Sequence, residues 1–283
     1  MKALLALFCC CLLWACESDS GTSDDVQALV EATAQEHTED SPAASPLADT
    51  PPQRPVLEQD LAYGEGVRSN LVGFLAMPED AIEPLPGVIV IHEWWGLNDN
   101  IKSMTRQIAA AGYVALAVDL YGGVIAETPD SAQDLMTNVM SNPEQALDNL
   151  RQAYEYVDKY AFSPRVGAIG WCLGGGLALQ MALMLPDELD AMVMYYGQVT
   201  TDTERLSSLN MPILGLFGAE DASIPLSDVQ QFRASLRQMG KRADIVIYSD
   251  VGHAFANPSG GTYHAETAEE AWAETMDFLA QNL

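Results

Sequence analysis

The chain has 283 residues, of which 48% are hydrophobic, and this is enough to bury one large core. Its formal net charge of −27 excludes the basic footprint that nucleic-acid binding requires. The same charge argues against electrostatic docking on anionic lipid. We therefore expect no nucleic-acid partner, and membrane contact only through a dedicated anchor.

The N-terminus is typical of an export signal. Lys2 precedes an apolar run, residues 3–15, that is shorter than the roughly 20 residues of a membrane-spanning helix. The stretch "LWAC", ending at Cys16, resembles a lipoprotein lipidation motif, although Trp14 departs from the usual small or β-branched residue. We expect a signal peptide over 1–15, acylation of the cysteine, and an exported, membrane-anchored lipoprotein on the extracytoplasmic side. An ordinary secretory signal and an uncleaved anchor are the alternatives.

Residues 16–60 form an acidic, proline-containing segment in which Arg54 is the only lysine or arginine. The segment has little apolar periodicity, so burial cannot offset the entropy lost on ordering it. We expect a disordered tether there, with a short helix around Val26–Gln35 as an option. The globular body is predicted over 61–283.

The body alternates strand and helix patterns. In chain order we predict a strand pair within 67–78, a strand at 87–92, a helix at 98–111, a strand at 113–120, helices at 131–140 and 143–160, a strand at 166–171, a helix at 173–185, strands at 191–197 and 212–218, a helix at 226–239, a strand at 244–250 and a helix at 263–280. Such alternation predicts an α/β fold, with a mostly parallel central sheet covered by helices on both faces.

Cys172 is the only cysteine of the body, so the body has no internal disulfide. It lies in "GWCLG", residues 170–174, between a predicted strand and a predicted helix. This is a Gly-x-nucleophile-x-Gly elbow with cysteine in place of serine. The turn lifts the thiol above the carboxyl ends of the strands, and the helix N-terminus favours the thiolate. We predict a nucleophile rather than a buried core thiol, with the N–H of Leu173 as an oxyanion donor.

A thiol nucleophile needs a base and a group that orients the base. His253 follows the strand at 244–250 and is the predicted general base, whereas His264 begins the last helix as a surface residue. Asp221 lies in the loop after the strand at 212–218. We prefer it to its neighbour Glu220 as the orienting acid, because adjacent side chains point apart.

The stretch "HEWWGLNDN", residues 92–100, follows another buried strand and reaches the same edge of the sheet. The N–H of Trp94 is the predicted second oxyanion donor. Glu93 is a carboxylate in an apolar stretch and needs a partner, either His92 or the thiol. The two tryptophan side chains, Trp94 and Trp95, either wall a pocket or pack in the core.

Four stretches together resemble the dienelactone hydrolase family over about 61–283: "IHEWWGLNDNIKSMTRQIAAAGYVALAVDLYGG", "GAIGWCLGGGLAL", "GAEDASIP" and "GHAFANP". The resemblance implies an α/β-hydrolase fold and a carboxylic-ester hydrolase of the carboxymethylenebutenolidase type. It also implies a Cys172–His253–Asp221 triad, with Glu93 helping to generate the thiolate when substrate binds. We expect no cofactor and no metal ion.

Two positions depart from the family pattern. Enzymes that open dienelactones hold the substrate carboxylate with two arginines, and Gly123 and Asn257 occupy those positions here. A carboxylate would lose its charge-assisted anchors, so we expect a neutral ester or lactone as the small-molecule substrate. Only another cation, Arg106 or Arg205, would reverse this expectation.

The candidate pocket residues are aromatic, and core packing is an equal interpretation for them: Trp95, Tyr121, Trp171, Tyr196 and Phe255. Two other functions are open. The same triad would serve thioester or amide hydrolysis, and a non-catalytic lipoprotein would use the fold as a binding module. We expect a monomer.

Overall fold

The computed structural model describes residues 23–38, 40, 44, 48–67 and 69–283. The predicted signal peptide and Cys16 lie outside these residues. Within the described ranges, no helix combines the length and the apolar character needed to cross a membrane.

One sheet organises the body. Its strands are β1 (Val56–Glu65), β2 (Asn70–Pro78), β3 (Gly87–Ile91), β4 (Val114–Val118), β5 (Val166–Trp171), β6 (Ala191–Tyr195), β7 (Ile213–Gly218) and β8 (Ala243–Tyr248). Their order across the sheet is β1-β2-β4-β3-β5-β6-β7-β8. β2 is antiparallel to β1 and β4, and every pairing from β4 to β8 is parallel. The predicted α/β fold with a mostly parallel sheet is confirmed.

Eight α-helices accompany the sheet in the described part of the chain: α1 (Ser23–Glu36), α2 (Asp99–Ala110), α3 (Pro129–Ser141), α4 (Pro143–Glu155), α5 (Leu173–Met184), α6 (Thr203–Ser207), α7 (Leu226–Gln238) and α8 (Ala265–Asn282). A π-helical turn, Tyr156–Tyr160, continues α4. The short α6 is the one body helix that the sequence pattern did not predict.

The central strands are apolar at every position because both faces of the sheet are covered. In β3, Ile89 and Ile91 face a core that also contains side chains of α3, α4 and α5. Val88 and Val90 face the opposite core, which they share with side chains of α2 and α8. Since successive side chains alternate between the faces, one five-residue strand serves two cores.

In its described part, the N-terminal segment differs from the expected disordered tether, and the optional helix around Val26–Gln35 is present. Helix α1 spans Ser23–Glu36 and packs against α3, and Val30 and Thr33 are buried there. The sheet begins at Val56, ahead of the expected start of the body, and this residue pairs with Pro78 of β2. The acidic composition of the segment gives little sign of this packing, because only a few residues at helical spacing form the buried face of α1.

The parallel strands place the loops that follow β3, β5, β7 and β8 at one edge of the sheet. Ligands bind at this edge in open α/β sheets. These loops carry the "HEWW" stretch, the cysteine elbow, the predicted acid and the predicted base, so the topology brings distant parts of the sequence to one place.

Candidate active site

Cys172 lies at a sharp turn between β5 and α5. Its φ of 52° and ψ of −117° are values that a non-glycine residue rarely adopts. The flanking glycines make the turn possible, because a Cβ at Gly170 would collide with the backbone of Gly174. A Cβ at Gly174 would in turn collide with the carbonyl group of Ile91. The Cys172 N–H donates to the carbonyl of Tyr195 at 3.1 Å, which fixes the thiol at the sheet edge.

The predicted base and acid both lie beside this thiol. His253 Nε2 is 3.2 Å from Cys172 Sγ, and His253 Nδ1 is 2.8 Å from Asp221 Oδ2. The other carboxylate oxygen of Asp221 accepts hydrogen bonds from the N–H groups of Ser223 and Ile224, each at 2.8 Å. The carboxylate is thus held by its own loop, and it in turn orients the imidazole.

The environment favours a charged thiolate–imidazolium pair. Burial by itself would raise the pKa of the Cys172 thiol, but the charge and hydrogen bond of His253, with a smaller effect of His37, lower this pKa to about 6. Burial likewise opposes protonation of His253, yet the thiolate and Asp221 raise the pKa of the imidazole well above its usual value. Near neutral pH the sulfur is therefore a thiolate.

Glu93 is buried, but its partner is neither of the two predicted groups. Its Oε2 accepts a hydrogen bond from Asn257 Nδ2 at 3.0 Å. The Asn257 Oδ1 accepts hydrogen bonds from the N–H and hydroxyl groups of Ser259, which turns the amide nitrogen toward the carboxyl. Burial, followed by the negative charge of Cys172, raises the pKa of Glu93 to about 8. The carboxyl is therefore mainly protonated near neutral pH.

His92 is a structural residue of the "HEWW" loop. Its Nε2 accepts a hydrogen bond from the N–H of Leu120 at 3.1 Å, and its Nδ1 donates to the carbonyl of Glu93 at 2.6 Å. The Tyr121 hydroxyl donates to the carbonyl of Trp94 at 3.0 Å. These contacts fix the backbone of the loop.

A second histidine, which the sequence reasoning did not select, lies at the thiol. His37 directly follows α1, and its side chain is fully buried. Its ring stacks on Trp94 with centroids 4.4 Å apart, and one ring nitrogen lies within 4.8 Å of Cys172 Sγ and of a ring nitrogen of His253. Its Nδ1 contacts Asp40 Oδ2 at 2.6 Å. The available sequence signal was a histidine three residues before an aspartate, directly after a possible helix.

A cavity of about 690 Å³ opens beside Cys172 and His253. Its apolar lining comes mainly from α1, α3 and α5, including Val26, Leu29, Met136, Met140 and Leu177. Gln180, Gln198 and Arg205 add polar groups to the lining. Such a volume suits a small organic ligand.

The predicted pocket residues fall into three groups. Tyr196 lines the large cavity, and its ring lies edge-on to that of His253 at 5.1 Å. Trp171 lines a separate small cleft instead. The other three, Trp95, Tyr121 and Phe255, are buried among core residues and do not line the large cavity.

Asn257 and Gly123, which occupy the positions of the two missing arginines, have different surroundings. Asn257 is buried against Glu93, as described above, whereas Gly123 is exposed in the loop after β4. Of the two alternative cations, Arg106 pairs with Glu58 on the body surface. Arg205 lies in the large cavity, where its Nη2 donates to a neighbouring glutamine side chain at 2.6 Å.

Three side chains of the site have the geometry to hold a metal ion. His37, Cys172 and His253 each offer one ligand atom within 4.8 Å of the others. Two imidazoles and a thiolate suit Zn²⁺, and a carboxylate behind each imidazole is the usual outer shell of such sites. No metal ion was expected from the sequence, because the body has no local cysteine–histidine metal pattern and these three residues lie far apart in the chain.

The strained cysteine elbow, the imidazole and the buried aspartate are typical of α/β hydrolases that use a thiol. Comparison with known proteins agrees. The model of the "Dienelactone hydrolase family" matches residues 71–283, and the chain belongs to this family. It is a hydrolase of this type on an α/β-hydrolase fold, as the sequence resemblance implied.

Two relatives carry the provisional name carboxymethylenebutenolidase. The one from Escherichia coli K12 is 33% identical over 85% of this chain and 94% of its own length. The one from Saccharolobus solfataricus is 32% identical over 79% of this chain and 98% of its own length. A crystal structure from Klebsiella pneumoniae, provisionally described as a dienelactone hydrolase, superposes with a TM-score of 0.72 at 29% identity, covering 81% of this chain and 100% of the other.

Proposed function

We propose that the protein is a carboxylic-ester or lactone hydrolase that works through an acyl-enzyme on Cys172. One observation carries this proposal: Cys172, His253 and Asp221 form a continuous chain of contacts at 3.2 and 2.8 Å. A thiolate held by an oriented imidazolium is a competent nucleophile near neutral pH.

In the first half-reaction the sulfur of Cys172 attacks the ester carbonyl carbon and forms an S–C bond. Leu173 begins α5, so its N–H has no acceptor within the helix and can donate to the oxyanion together with the N–H of Trp94. The C–O bond to the leaving group then breaks, and the leaving oxygen takes a proton from an imidazolium of the site. His253 is the predicted donor.

In the second half-reaction water attacks the carbonyl carbon of the thioester and gives a proton to the imidazole. The S–C bond breaks, the acid product leaves, and Cys172 returns as the thiolate. Asp221 keeps the imidazole in the orientation that both transfers require, and it stabilises the imidazolium. Glu93 faces Asn257 in the free protein, so the proposed source of the thiolate is the histidine rather than this carboxyl.

The proposed substrate is a neutral ester or lactone with an apolar acyl or alcohol part. The cavity beside the thiol is mainly apolar, and neither Gly123 nor Asn257 supplies a cation. Arg205 lies in the same cavity and is the group that would bind a polar or anionic substituent. We also propose the extracytoplasmic, lipid-anchored location, which rests on the sequence around Cys16 alone.

Hydrolysis of 4-nitrophenyl butyrate, a neutral ester, tests the activity. The wild type is expected to turn it over, and Cys172→Ala is expected to lose at least about 10³-fold in kcat. His264→Gln is the matched control, because this histidine caps α8 away from the thiol. Equal rates for wild type and Cys172→Ala would refute the mechanism.

The substrate class is tested with 4-nitrophenyl hemisuccinate, which keeps the same leaving group and adds a carboxylate to the acyl part. We expect kcat/KM to be about tenfold higher for the neutral butyrate ester than for the anionic hemisuccinate ester. A charge-assisted hydrogen bond to a substrate carboxylate contributes about a factor of ten in affinity, and the site lacks the two arginines that would provide it. A strong preference for the anionic ester that disappears in Arg205→Gln would show instead that this arginine replaces the two missing ones.

A further inference from the structure

The active site contains two histidine–carboxylate pairs that face one thiol. The first is His253 with Asp221, and the second is His37 with Asp40, at 2.8 and 2.6 Å. The second pair comes from the segment that precedes the sheet, and the proposed mechanism does not use it. Burial of an imidazole with an unpaired nitrogen costs free energy, so a buried polar group without a full set of partners often has a functional role.

The contacts of His37 direct one nitrogen toward the reacting atoms. Its Nδ1 is bonded to Asp40, whose other carboxylate oxygen accepts a hydrogen bond from the N–H of Gly261 at 2.8 Å. The Nε2 is buried and has no hydrogen-bond partner in the described structure. A ring nitrogen of His37 lies within 4.8 Å of Cys172 Sγ, so a substrate bound at the thiol lies beside this imidazole.

The rest of the segment fixes this imidazole relative to the triad. The Glu36 carboxylate accepts a hydrogen bond from the N–H of Ala222 at 2.8 Å, and Ala222 directly follows the catalytic acid Asp221. The His37 ring stacks on Trp94 on one side and meets the His253 ring edge-on at 5.4 Å on the other. Helix α1 also contributes to the wall of the large cavity. The segment is therefore part of the site rather than a separate tether.

We propose that His37, oriented by Asp40, is a second acid–base residue of this hydrolase and protonates the leaving-group oxygen. The proposal rests on the ester-hydrolase function proposed above. As the S–C bond forms and the ester C–O bond breaks, the leaving oxygen takes the proton from His37 Nε2 rather than from His253, the donor predicted from the sequence. The neutral imidazole then accepts a proton from the water that attacks the thioester, which restores the starting state.

The two histidines have different roles in this proposal: His253 stabilises the thiolate, and His37 protonates the leaving group. His253 is already engaged as the cationic partner of Cys172 at 3.2 Å, so releasing its proton early would weaken the ion pair. The interaction of His37 with the thiol is weaker than that of His253, and a ring nitrogen of His37 lies within 4.8 Å of Cys172 Sγ.

The test compares leaving groups in the full-length protein. 4-Nitrophenoxide needs little protonation as it leaves, whereas an alkoxide needs a proton in the transition state. For His37→Gln we expect a loss of about 100-fold in kcat/KM with ethyl butyrate and less than about tenfold with 4-nitrophenyl butyrate. Asp40→Asn should show the same selective loss to a smaller extent, with His37 still in place.

Gln35→Ala is the control, because its side chain is exposed on the same segment. It should leave both rates unchanged. Equal losses with the two esters in both His37→Gln and Asp40→Asn would overturn the role of His37 and leave the ester-hydrolase proposal intact. A wild-type protein that hydrolyses neither ester would overturn both proposals.

Discussion

The two histidine–carboxylate pairs make nearly the same contact but depend on different kinds of structure. Asp221 and His253 follow β7 and β8, adjacent parallel strands of the central sheet. His37 and Asp40 lie outside the sheet and are held by α1 packing and by a few hydrogen bonds to loops of the body. The fold itself therefore positions one pair, and a peripheral segment adds the other.

Because of this difference, we expect the two histidine–carboxylate pairs to contribute unequally to the reaction rate. The sheet-held pair contacts the nucleophile directly at 3.2 Å, whereas a ring nitrogen of the segment-held pair lies within 4.8 Å of it, where our proposal places the leaving group. A residue that generates the nucleophile affects every substrate, and a residue that serves the leaving group affects only substrates that need its proton. The pairs should therefore respond very differently to the same chemical change.

The largest expected effect comes from replacing the two carboxylates in turn. Asp221→Asn should lower kcat for 4-nitrophenyl butyrate by about 10³- to 10⁴-fold, because the imidazole loses its orientation and its charge partner. Asp40→Asn should lower the same rate by less than about tenfold. Steady-state kinetics with matched melting temperatures provide the measurement. Similar losses in the two variants would show that the pairs are equivalent.

Metal inhibition gives a second, independent comparison. Zn²⁺ should inhibit wild-type hydrolysis by bridging His37, Cys172 and His253, and chelation with EDTA should restore the activity. In Asp40→Asn the outer-shell support is lost, so the inhibition constant should rise by about 10- to 100-fold. Gln35→Ala should keep the wild-type constant. Inhibition that is unchanged in Asp40→Asn would mean that the metal binds without the N-terminal histidine.

The same contrast explains what the sequence could and could not predict. The central strands were predictable because they are continuous apolar runs, whereas the strand pair expected within 67–78 is the single strand β2, whose partner β1 lies upstream. Cys172, Asp221 and His253 were expected at one edge because each lies in the turn or loop after a predicted strand, and the structure brings them together there. His37 lies in an acidic segment whose composition favours disorder, so its docking depends on tertiary contacts that no local pattern shows. A histidine outside the strand–loop pattern gave little reason for selection.

The partner of Glu93 was unpredictable for a related reason. A buried carboxyl needs a partner, but the sequence offered a nearby histidine and a thiol, and the structure uses Asn257 from a distant loop. That residue stands where dienelactone-opening relatives, by sequence resemblance, carry an arginine. Asn257 thus provides no cation for a substrate carboxylate, and its amide instead donates a hydrogen bond to Glu93. The sequence does not show this pairing, because the two residues lie in loops that only the fold brings together.

The smallest expected effect is a shift in the pH dependence of the thiol. The thiolate is the reactive form, so alkylation of Cys172 by iodoacetamide should be fast above its pKa of about 6 and should slow as the pH falls through that value. Both histidines lower this pKa, His253 more than His37. The midpoint of the alkylation rate should therefore move upward in His37→Gln, and further upward in His253→Gln.

This measurement needs no substrate, so it compares the two pairs in the free protein. His264→Gln should retain the wild-type midpoint, because this histidine lies at the start of α8 and does not contact the thiol. If the midpoint in His37→Gln equals that of the wild type, the N-terminal histidine does not reach the sulfur in solution. A shift as large as that in His253→Gln would mean that a peripheral segment controls the nucleophile as strongly as the sheet does.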